Sequence, residues 1–585
     1  MPDPASIARP WLASYPPGVP PTYRYPDVPL TRFLDDAARD FPGAVATSFL
    51  GAELSYEELR DATDRFAGAL QDLGVAAGDR VAVVLPNTPA MVIATFATLR
   101  LGGVVVPLNP LEVDTELRRE LADSGARVAV VATVLVPRFR VLLDEVDTLE
   151  HVVASGIEDW LPWRKRIVYP LVARRRGGGY RRLTARDGAA SFTELLHAAA
   201  PVGRQAPVTR DDPAVLQYTG GTTGVPKAVG LTHGNLVANS FQARLWVPDI
   251  QAGRERLLAV LPFFHVYGLT LGMLTGVLSA ATLILLPRYD VDEVLDAIDR
   301  SRPTLFPGVP SMYRDIALHP EAADHDLRSI RACVSGAAPL TPDIARRFEE
   351  ITGGARLREG YGLSESGPLT HANPIYGRSE HGRIGLPVTD TVAIVVDPDD
   401  PTEVLPLGTP GELAVYGPQV MPGYWHAEDE TALVLRDGWL LTGDIAVQHE
   451  DGTFSIVDRK KDVVIAGGFN IYPHDVETAL LLHPGVAQAV AVGIPDDRRG
   501  ETVKAYVVLK PTATRVTAGE LTEHCRQHLA AYKVPTAIEL RDELPRTRIG
   551  KVLRRELRDE EAARGLAGDD ARGDDGDASP EEVAG

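Results

Sequence analysis

The sequence has very little cysteine. Its 585 residues include only Cys333 and Cys525, too few for the disulfide framework that is typical of small secreted domains. We therefore expect a reducing, cytoplasmic setting. Hydrophobic residues make up 44% and charged residues 24% of the chain, as in ordinary soluble globular proteins. A chain of this length can bury large cores without covalent cross-links and is expected to contain more than one domain.

The sequence has no excess of positive charge: 80 Asp and Glu outnumber 60 Lys and Arg, so the formal net charge is −20. General nucleic-acid binding requires a basic surface, so this charge balance argues against a nucleic-acid partner. The same charge balance is compatible with binding of small anionic ligands, since a few local lysines, arginines and backbone N–H groups are enough to hold them.

Long apolar runs are nearly absent. The Pro-rich N-terminus, MPDPASIARPWLASYPPGVPP, has no apolar core of signal-peptide length and is predicted to be extended. Residues 269–287 are uncharged and long enough to suggest a transmembrane span. Gly272, Gly276 and Ser279 interrupt this run, and we predict a buried helix followed by a strand instead.

Strand and helix patterns alternate through much of the chain. Residues 78–133 read as strand, helix, strand, helix, strand, and the apolar runs fit strands that are buried on both faces of a parallel sheet. A similar pattern recurs over residues 302–362. The predicted fold class is α/β, with a large N-terminal body of several subdomains and mixed sheets and a small α+β C-terminal domain. The predicted segments are an extended N-terminus (1–29), the body (30–457) with a basic aromatic insert (159–186), a hinge (458–462), the C-terminal domain (463–560) and an acidic disordered tail (561–585).

The segment QYTGGTTGVPKAVGLTH at 217–233 has the composition of a phosphate-binding loop. Glycines allow the backbone to approach a phosphate, threonines add donors and Lys227 adds positive charge. The Walker A pattern requires adjacent Gly and Lys followed by Ser or Thr, and it fails here because Val225 and Pro226 separate Gly224 from Lys227. A flexible surface turn is the alternative for such a run taken alone.

The same segment resembles the phosphate loop of the acyl-adenylate-forming, or AMP-binding, superfamily, which includes acyl-CoA synthetases, firefly-luciferase-like enzymes and adenylation domains. The usual loop begins Y-T-S-G-T-T-G and continues P-K-G; here Gly220 replaces the serine and Ala228 the last glycine. The Gly-Gly form resembles the variant in long-chain fatty-acid–CoA ligases. Other family signatures follow in order: LPFFHVYG at 261–268, LREGYGLSESGP at 357–368, WLLTGDIA at 439–446, DRKKDVVIAGGFNIYPHDVE at 458–477 and LPRTRIGKVLRREL at 544–557. The resemblance spans roughly residues 30–558.

The resemblance implies an AMP-forming acid–thiol ligase that works in two half-reactions. A carboxylate first attacks the α-phosphorus of ATP, giving acyl-AMP and pyrophosphate, and the thiol of coenzyme A then attacks the acyl carbon and expels AMP. The implied cofactors are ATP and Mg²⁺, with coenzyme A as co-substrate. A mobile C-terminal domain is implied to swing between the two steps.

The resemblance also assigns site residues. Lys551 is the implied catalytic lysine of adenylation, with a surface lysine as the alternative, and His265 lies near the substrate carboxylate, with a packed core histidine as the alternative. Glu365 and Thr223 are the implied metal-site residues, Lys461 the hinge, and Gly467 and Gly468 the CoA path. The implied acyl pocket comprises Phe264, Tyr267, Gly308, Val309 and Ser335. The implied ATP- and AMP-binding residues are Thr219, Gly220, Gly221, Thr222, Thr223, Gly224, Lys227, Gly336, Ala337, Ala338, Glu359, Gly360, Tyr361, Gly362, Ser364, Asp444, Ile456 and Arg459.

The insert DWLPWRKRIVYPLVARRRGGGYRRLTAR holds nine basic residues and four Trp or Tyr in an acidic chain. Basic residues with interfacial aromatics suit an anionic membrane surface. A loop that balances acidic neighbours, or one that binds the 3′-phosphate of coenzyme A, is the alternative. We expect a cytoplasmic protein with peripheral contact at the inner face of the cell membrane, and a homodimer stays open.

The leading hypothesis is a long-chain fatty-acid–CoA ligase. Alternatives of the same chemistry are a fatty-acyl-AMP ligase that loads a carrier protein and a CoA ligase for medium-chain, aromatic or dicarboxylic acids. A non-catalytic, membrane-associated lipid-binding protein is the alternative from a different class.

Overall fold

The computed structural model describes residues 1–175, 181–203, 205–219, 226–466, 469–496, 500–511, 513, 515–529, 531–546 and 552–570. The chain forms two compact units. The first unit contains residues 1–394, 414–442 and 448–455, and the second contains 395–413, 443–447 and the chain from 456 onward. The domain boundaries that we drew from the sequence stay predictions.

The helices in the described residues are α1 (Thr31–Asp40), α2 (Tyr56–Asp72), α3 (Pro89–Arg100), α4 (Asp114–Ser124), α5 (Val136–Glu145), α6 (Trp163–Arg175), α7 (Phe192–Ala198), α8 (His233–Leu245), α9 (Thr275–Leu278), α10 (Val291–Ser301), α11 (Pro310–Leu318), α12 (Pro342–Ile351), α13 (Glu428–Val434), α14 (Pro473–Leu481), α15 (Ala518–His528) and α16 (Arg554–Asp570).

The strands are β1 (Val45–Phe49), β2 (Ala52–Ser55), β3 (Arg80–Val84), β4 (Val104–Pro107), β5 (Ala126–Ala132), β6 (His151–Ser155), β7 (Ala190–Ser191), β8 (Pro213–Thr219), β9 (Lys227–Thr232), β10 (Arg256–Ala259), β11 (Thr282–Leu285), β12 (Leu305–Gly308), β13 (Ala332–Ser335), β14 (Arg356–Gly362), β15 (Leu369–Ala372), β16 (Leu386–Pro387), β17 (Val392–Val396), β18 (Gly411–Tyr416), β19 (Gly423–Tyr424), β20 (Leu435–Arg436), β21 (Trp439–Gln448), β22 (Phe454–Arg459), β23 (Val464–Ala466), β24 (Phe469–Ile471), β25 (Val486–Asp496), β26 (Gly500–Leu509) and β27 (Ala537–Leu540).

Two large sheets organise the first unit. One has the order β16-β15-β14-β13-β12-β10-β11-β1-β2 and the other β19-β9-β8-β4-β3-β5-β6-β7. In the second sheet β3 pairs in parallel with β4 and with β5, and α3 between β3 and β4 is buried along its whole length. The parallel pairing confirms the predicted βαβ pattern of residues 78–133. The helix between the strands is apolar on all sides, and burial along its whole length covers those sides.

The uncharged run at 269–287 is buried, as predicted. It forms a π-helical segment, Gly268–Leu274, followed by α9 and β11. A Cβ on Gly276 would lie 2.4 Å from Leu283 Cδ2, so this glycine allows α9 to pack closely on β11. Within the described residues, no helix is long and apolar enough to cross a membrane.

The second unit contains a small mixed sheet with the order β24-β23-β26-β25, and β27 pairs in parallel with β26. Its core lies between this sheet and the helices α14 and α15, around Val476, Leu480 and Leu521. The predicted fold class, an α/β body with mixed sheets and a small α+β C-terminal domain, is confirmed.

The predicted disordered tail is wrong over residues 561–570, which form the end of α16. Glu561 accepts hydrogen bonds from Lys504 Nζ at 2.8 Å and from the Tyr506 hydroxyl at 2.9 Å. Arg564 pairs with Glu539 at 2.8 Å. Glu561 and Arg564 are thus paired with residues on strands of the sheet and fix this part of the helix. Residues 571–585 lie outside the described part of the chain.

Candidate functional site

Segments that the sequence singled out meet at one edge of the nine-stranded sheet. β12, β13 and β14 are parallel, and Gly308, Ser335 and Glu359 stand next to one another in register. The predicted residues Val309, 336–338 and 360–362 follow directly. Because ligands of α/β sheets bind outside the carboxyl ends of the strands, this edge is the candidate site of the first unit.

The aromatic–His segment follows β10 at the same edge. The Asn87 amide donates to the carbonyls of Ala259 at 3.0 Å and Leu261 at 2.8 Å, and its oxygen accepts from Phe263 N at 2.9 Å. Gln217 Nε2 donates to the Phe264 carbonyl at 3.0 Å, which fastens the segment to the strand that enters the phosphate loop. Sequence reasoning missed both residues, and their only signal was a polar side chain in an apolar stretch.

His265 lies beside Phe264, with ring centroids 4.8 Å apart. Burial lowers the pKa of His265 below its ordinary value, so the imidazole is neutral at neutral pH. A neutral imidazole offers one donor and one acceptor, which fits a contact with a substrate carboxylate. The assignment of His265 to that contact stays a prediction.

Two predicted glycines pack against tyrosines. A Cβ on Gly336 would lie 2.9 Å from Tyr267 Cε1, and one on Gly308 would lie 2.8 Å from Tyr313 Oη. The Tyr267 hydroxyl donates to the Val334 carbonyl at 2.7 Å. These glycines therefore make room for tyrosine side chains, and Gly308 does not by itself widen an acyl channel.

The predicted adenine segments occupy β14 and the loop after β13. Tyr361 pairs across the strands with His371, and their rings meet edge to face at 5.9 Å. Ala337 has a left-handed backbone with φ of 70°. A Cβ on Gly362 would lie 1.8 Å from the Pro368 carbonyl, so only glycine fits there. The Glu359 carboxylate accepts from Leu340 N and Gly382 N, each at 3.2 Å, and thus braces two loops.

The base of the phosphate loop is a β8–β9 hairpin in which Thr219 pairs with Lys227. Lys227 Nζ lies 3.8 Å from Glu430 and 5.4 Å from the centre of the Tyr424 ring. Glu365, in the 3₁₀ turn Ser364–Ser366, accepts a hydrogen bond from the Tyr424 hydroxyl at 2.7 Å. Tyr424 was not predicted from the sequence.

Further predicted residues belong to the second unit. Asp444, predicted to bind ribose, is buried and lies 3.2 Å from Arg459 Nε. Ile456 and Arg459 share β22. Glu412, which sequence reasoning missed, accepts from Gly443 N at 3.1 Å and from Lys460 Nζ at 2.9 Å. This pairing fixes the backbone next to Asp444.

Some predicted residues lie outside the described part of the chain. They are Lys551, the phosphate-loop residues Gly220, Gly221, Thr222, Thr223 and Gly224, and the CoA-path residues Gly467 and Gly468; the side chain of Lys461 is also outside it.

An ion cluster connects the hinge segment to the start of α16, three residues after Lys551. Arg554 donates to both oxygens of Glu477 at 2.8 Å and to Asp458 at 3.0 Å, and it lies 3.6 Å from Asp462. Arg558 pairs with Asp462 at 2.8 Å. We call these five residues the Arg554 cluster. It ties the predicted hinge to α14 and α16 of the second unit.

Glu477 gives the stability of the second unit a pH dependence. Burial raises the pKa of Glu477 from 4.5 to about 7, so between these values the folded unit holds a proton that the unfolded chain releases. The contribution of Glu477 to stability therefore falls as pH rises through this window. The parent protein and Glu477→Gln are therefore expected to differ in the free energy of unfolding by an amount that depends on pH. This difference, parent minus variant, should decrease by up to about 3 kcal/mol as pH rises through the window. Hydrogen exchange of the α14 amides at several pH values measures this difference for the second unit, and a constant difference would contradict it.

Two family models match the chain over most of its length. The family model of the AMP-binding enzyme matches residues 34–425, and that of the AMP-binding enzyme C-terminal domain matches residues 475–551. A long-chain-fatty-acid–CoA ligase of Bacillus subtilis (strain 168) is 43% identical over 563 residues, covering 94% of this chain and 98% of the relative. A feruloyl-CoA synthase of Amycolatopsis sp is 38% identical over 522 residues, covering 89% and 96%.

A solved structure of ATP-bound MatB from Rhodopseudomonas palustris is similar as well. It superimposes with a TM-score of 0.80 at 29% identity, covering 92% of this chain and 99% of that chain. The matched family models together include most of the residues that form the candidate site, and the family that the motifs indicated is confirmed. The chain belongs to the AMP-binding enzyme family.

Proposed function

We propose that the protein is an AMP-forming long-chain-fatty-acid–CoA ligase. The observation that carries the proposal is the shared edge of β10, β12, β13 and β14, where the predicted acyl and nucleotide segments lie side by side. A relative named long-chain-fatty-acid–CoA ligase matches nearly the whole length of the chain. The acid first becomes acyl-AMP, and the thiol of coenzyme A then displaces AMP to form the thioester.

The obstacle to the first step is charge, since an anionic carboxylate must approach the polyanionic ATP. Positive groups placed where negative charge develops lower this barrier. Lys227, at the base of the phosphate loop, is assigned to the leaving pyrophosphate, and Lys551 to the α-phosphate. His265 orients the carboxylate, and Asp444 accepts hydrogen bonds from the ribose hydroxyls.

Glu365 is the residue assigned to Mg²⁺. Mg²⁺ favours one or two carboxylates together with phosphate oxygens and water, and when bound it neutralises phosphate charge. One oxygen of Glu365 accepts from Tyr424, and among the described residues no donor bonds to the other oxygen. The chemistry of this carboxylate therefore fits the ion.

Exchange of labelled pyrophosphate into ATP tests the acid that the protein activates. We expect exchange to depend on added acid and to be fastest with long-chain fatty acids. Fastest exchange with ferulate or another aromatic acid would overturn the choice of acid. No exchange with any acid would favour the lipid-binding alternative.

We further propose that α6 contacts an anionic membrane at its cytoplasmic face. Trp163, Ile167 and Leu171 are 68%, 69% and 65% exposed, and their i, i+4, i+8 spacing places them on one helix face. Arg164 lies 5.1 Å above the Trp163 ring. An exposed apolar stripe with adjacent arginines matches the chemistry of an anionic lipid surface.

The position of α6 suits delivery of a membrane-dissolved acid. Lys165 Nζ donates to the Leu50 carbonyl at 2.7 Å, just after β1. β1, β11 and β10 are parallel and in register, so α6 is anchored at the sheet edge where the acyl segment lies.

Replacing the stripe is expected to release the protein from anionic vesicles. The triple variant Trp163→Ser, Ile167→Ser, Leu171→Ser should lose most of its co-sedimentation with phosphatidylglycerol vesicles, because about 1.5–3 kcal/mol of burial is lost per side chain. Exchange with a water-soluble short-chain acid should not change.

The matched control replaces exposed side chains elsewhere, Leu318→Ser with Leu407→Ser. This control should bind vesicles as the parent protein does. Unchanged binding by the α6 triple variant would contradict membrane contact through this face.

A further inference from the structure

Tyr424 contacts two residues to which the proposed function gives different roles. Glu365 is assigned to the Mg²⁺ ion, and Lys227 is assigned to the leaving pyrophosphate. The Tyr424 hydroxyl donates to Glu365 Oε1 at 2.7 Å, while Lys227 Nζ lies 5.4 Å from the centre of the tyrosine ring. One side chain thus contacts both the residue assigned to the metal and the lysine assigned to pyrophosphate.

The backbone around Tyr424 is held on both sides. Its N–H donates to Thr431 Oγ1 at 2.9 Å, and the next residue, Trp425, donates to the Ala228 carbonyl at 2.8 Å. Met421 N donates to the Glu365 carbonyl at 2.8 Å. The segment 421–425 therefore fixes the backbone of Glu365 as well as the side chain.

Glu430 competes for Lys227. The pair is long, at 3.8 Å, and the Glu430 side chain is 41% exposed, so it is a weak pair of the kind that solvent screens. The face of the tyrosine ring attracts the same ammonium group and keeps it over β19. A phosphate can replace the Glu430 carboxylate without moving the lysine away from the ring.

We infer that Tyr424 is a positioning residue for nucleotide binding: its hydroxyl orients the Glu365 carboxylate toward the metal ion, and its ring holds Lys227 toward the phosphates. The inference rests on the proposed function, which assigns those two roles. Orienting the carboxylate through one oxygen leaves the other oxygen for the cation.

Calorimetric titration of the full-length protein with ATP, in Mg²⁺ or in EDTA and without acid, separates the two contacts. Tyr424→Phe keeps the ring and removes only the hydroxyl, so we expect about a tenfold loss of affinity for Mg²⁺-ATP and no loss for metal-free ATP. Tyr424→Leu should also weaken metal-free ATP by about threefold, because Lys227 loses the ring.

Tyr416→Phe is the matched control, since Tyr416 is exposed and packs on Trp439. It should change neither affinity. In a Glu365→Ala background, Tyr424→Phe should have no further effect on Mg²⁺-ATP if the hydroxyl acts through Glu365. Thermal unfolding confirms that each variant is folded.

Two outcomes would overturn the inference alone: equal losses in Mg²⁺ and EDTA for Tyr424→Phe, or no loss in Mg²⁺ while Glu365→Ala abolishes the Mg²⁺ dependence. If Glu365→Ala leaves the Mg²⁺ dependence intact, the metal role of Glu365 in the proposed function fails together with the inference.

Discussion

Lys551→Ala is expected to slow acyl-adenylate formation by about 10²–10³-fold, the usual cost of losing one preorganised donor at a developing charge. Thioester formation from supplied acyl-AMP and coenzyme A should be nearly unchanged, because the proposed domain swing removes the lysine from the site before the second step. Single-turnover measurements of each half-reaction give the two rates separately.

Lys510→Ala is the control for this variant. Lys510 Nζ donates to the Pro484 carbonyl at 2.8 Å and lies on the surface of the same unit, so its removal should affect neither half-reaction. Equal losses in both half-reactions for Lys551→Ala would contradict the account in which the C-terminal domain takes two arrangements.

Arg554→Met should destabilise the second unit by about 3–5 kcal/mol, since removing one member of a buried ion pair leaves its partners charged and unpaired. The partners here are Asp458, Asp462 and, above its raised pKa of about 7, Glu477. Hydrogen exchange of the α14 and α16 amides in native buffer measures the local opening free energy without assuming that the whole chain unfolds in one step.

The adjacent Arg555 provides the matched control. Its side chain is 62% exposed and lies 3.6 Å from Asp559, so Arg555→Met should change the opening free energy by less than about 0.5 kcal/mol. Similar effects of the two substitutions would mean that the Arg554 cluster does not stabilise the link between the hinge segment and α16.

Much of the fold follows from local patterns in the sequence. The valine-rich runs of β3, β4 and β5 and the apolar helix α3 between them have the composition of elements buried on all sides, and their order alone implies parallel pairing. The uncharged run at 269–287 was also predictable as a buried helix and a strand, because Gly272, Gly276 and Ser279 interrupt it.

Contacts between distant residues were not predictable in the same way. Asn87 fixes the turn after β10 across 172 residues of chain, and Tyr424 reaches Glu365 across 59. A single polar residue carries no local signature of such a partner. The end of α16 was missed for a related reason, since Glu561 and Arg564 look like disordered-tail charges until their partners on the sheet are known.

The candidate site, too, was predictable from the sequence only in part. The sequence resemblance singled out Gly308, Ser335 and Glu359, and the structure brings these three residues together at one sheet edge; their roles stay predictions. The resemblance did not indicate that Glu359 braces loops or that Gly308 makes room for Tyr313, since both facts depend on which side chain fills the neighbouring space.

The central claim is tested most directly by incubating the full-length protein with ATP, Mg²⁺, hexadecanoic acid and coenzyme A and then quantifying the products by mass spectrometry. The account predicts equal amounts of hexadecanoyl-CoA and AMP, formed only when ATP, acid and coenzyme A are all present. Acyl-AMP that accumulates without any thioester, or AMP release that does not depend on the acid, would contradict it.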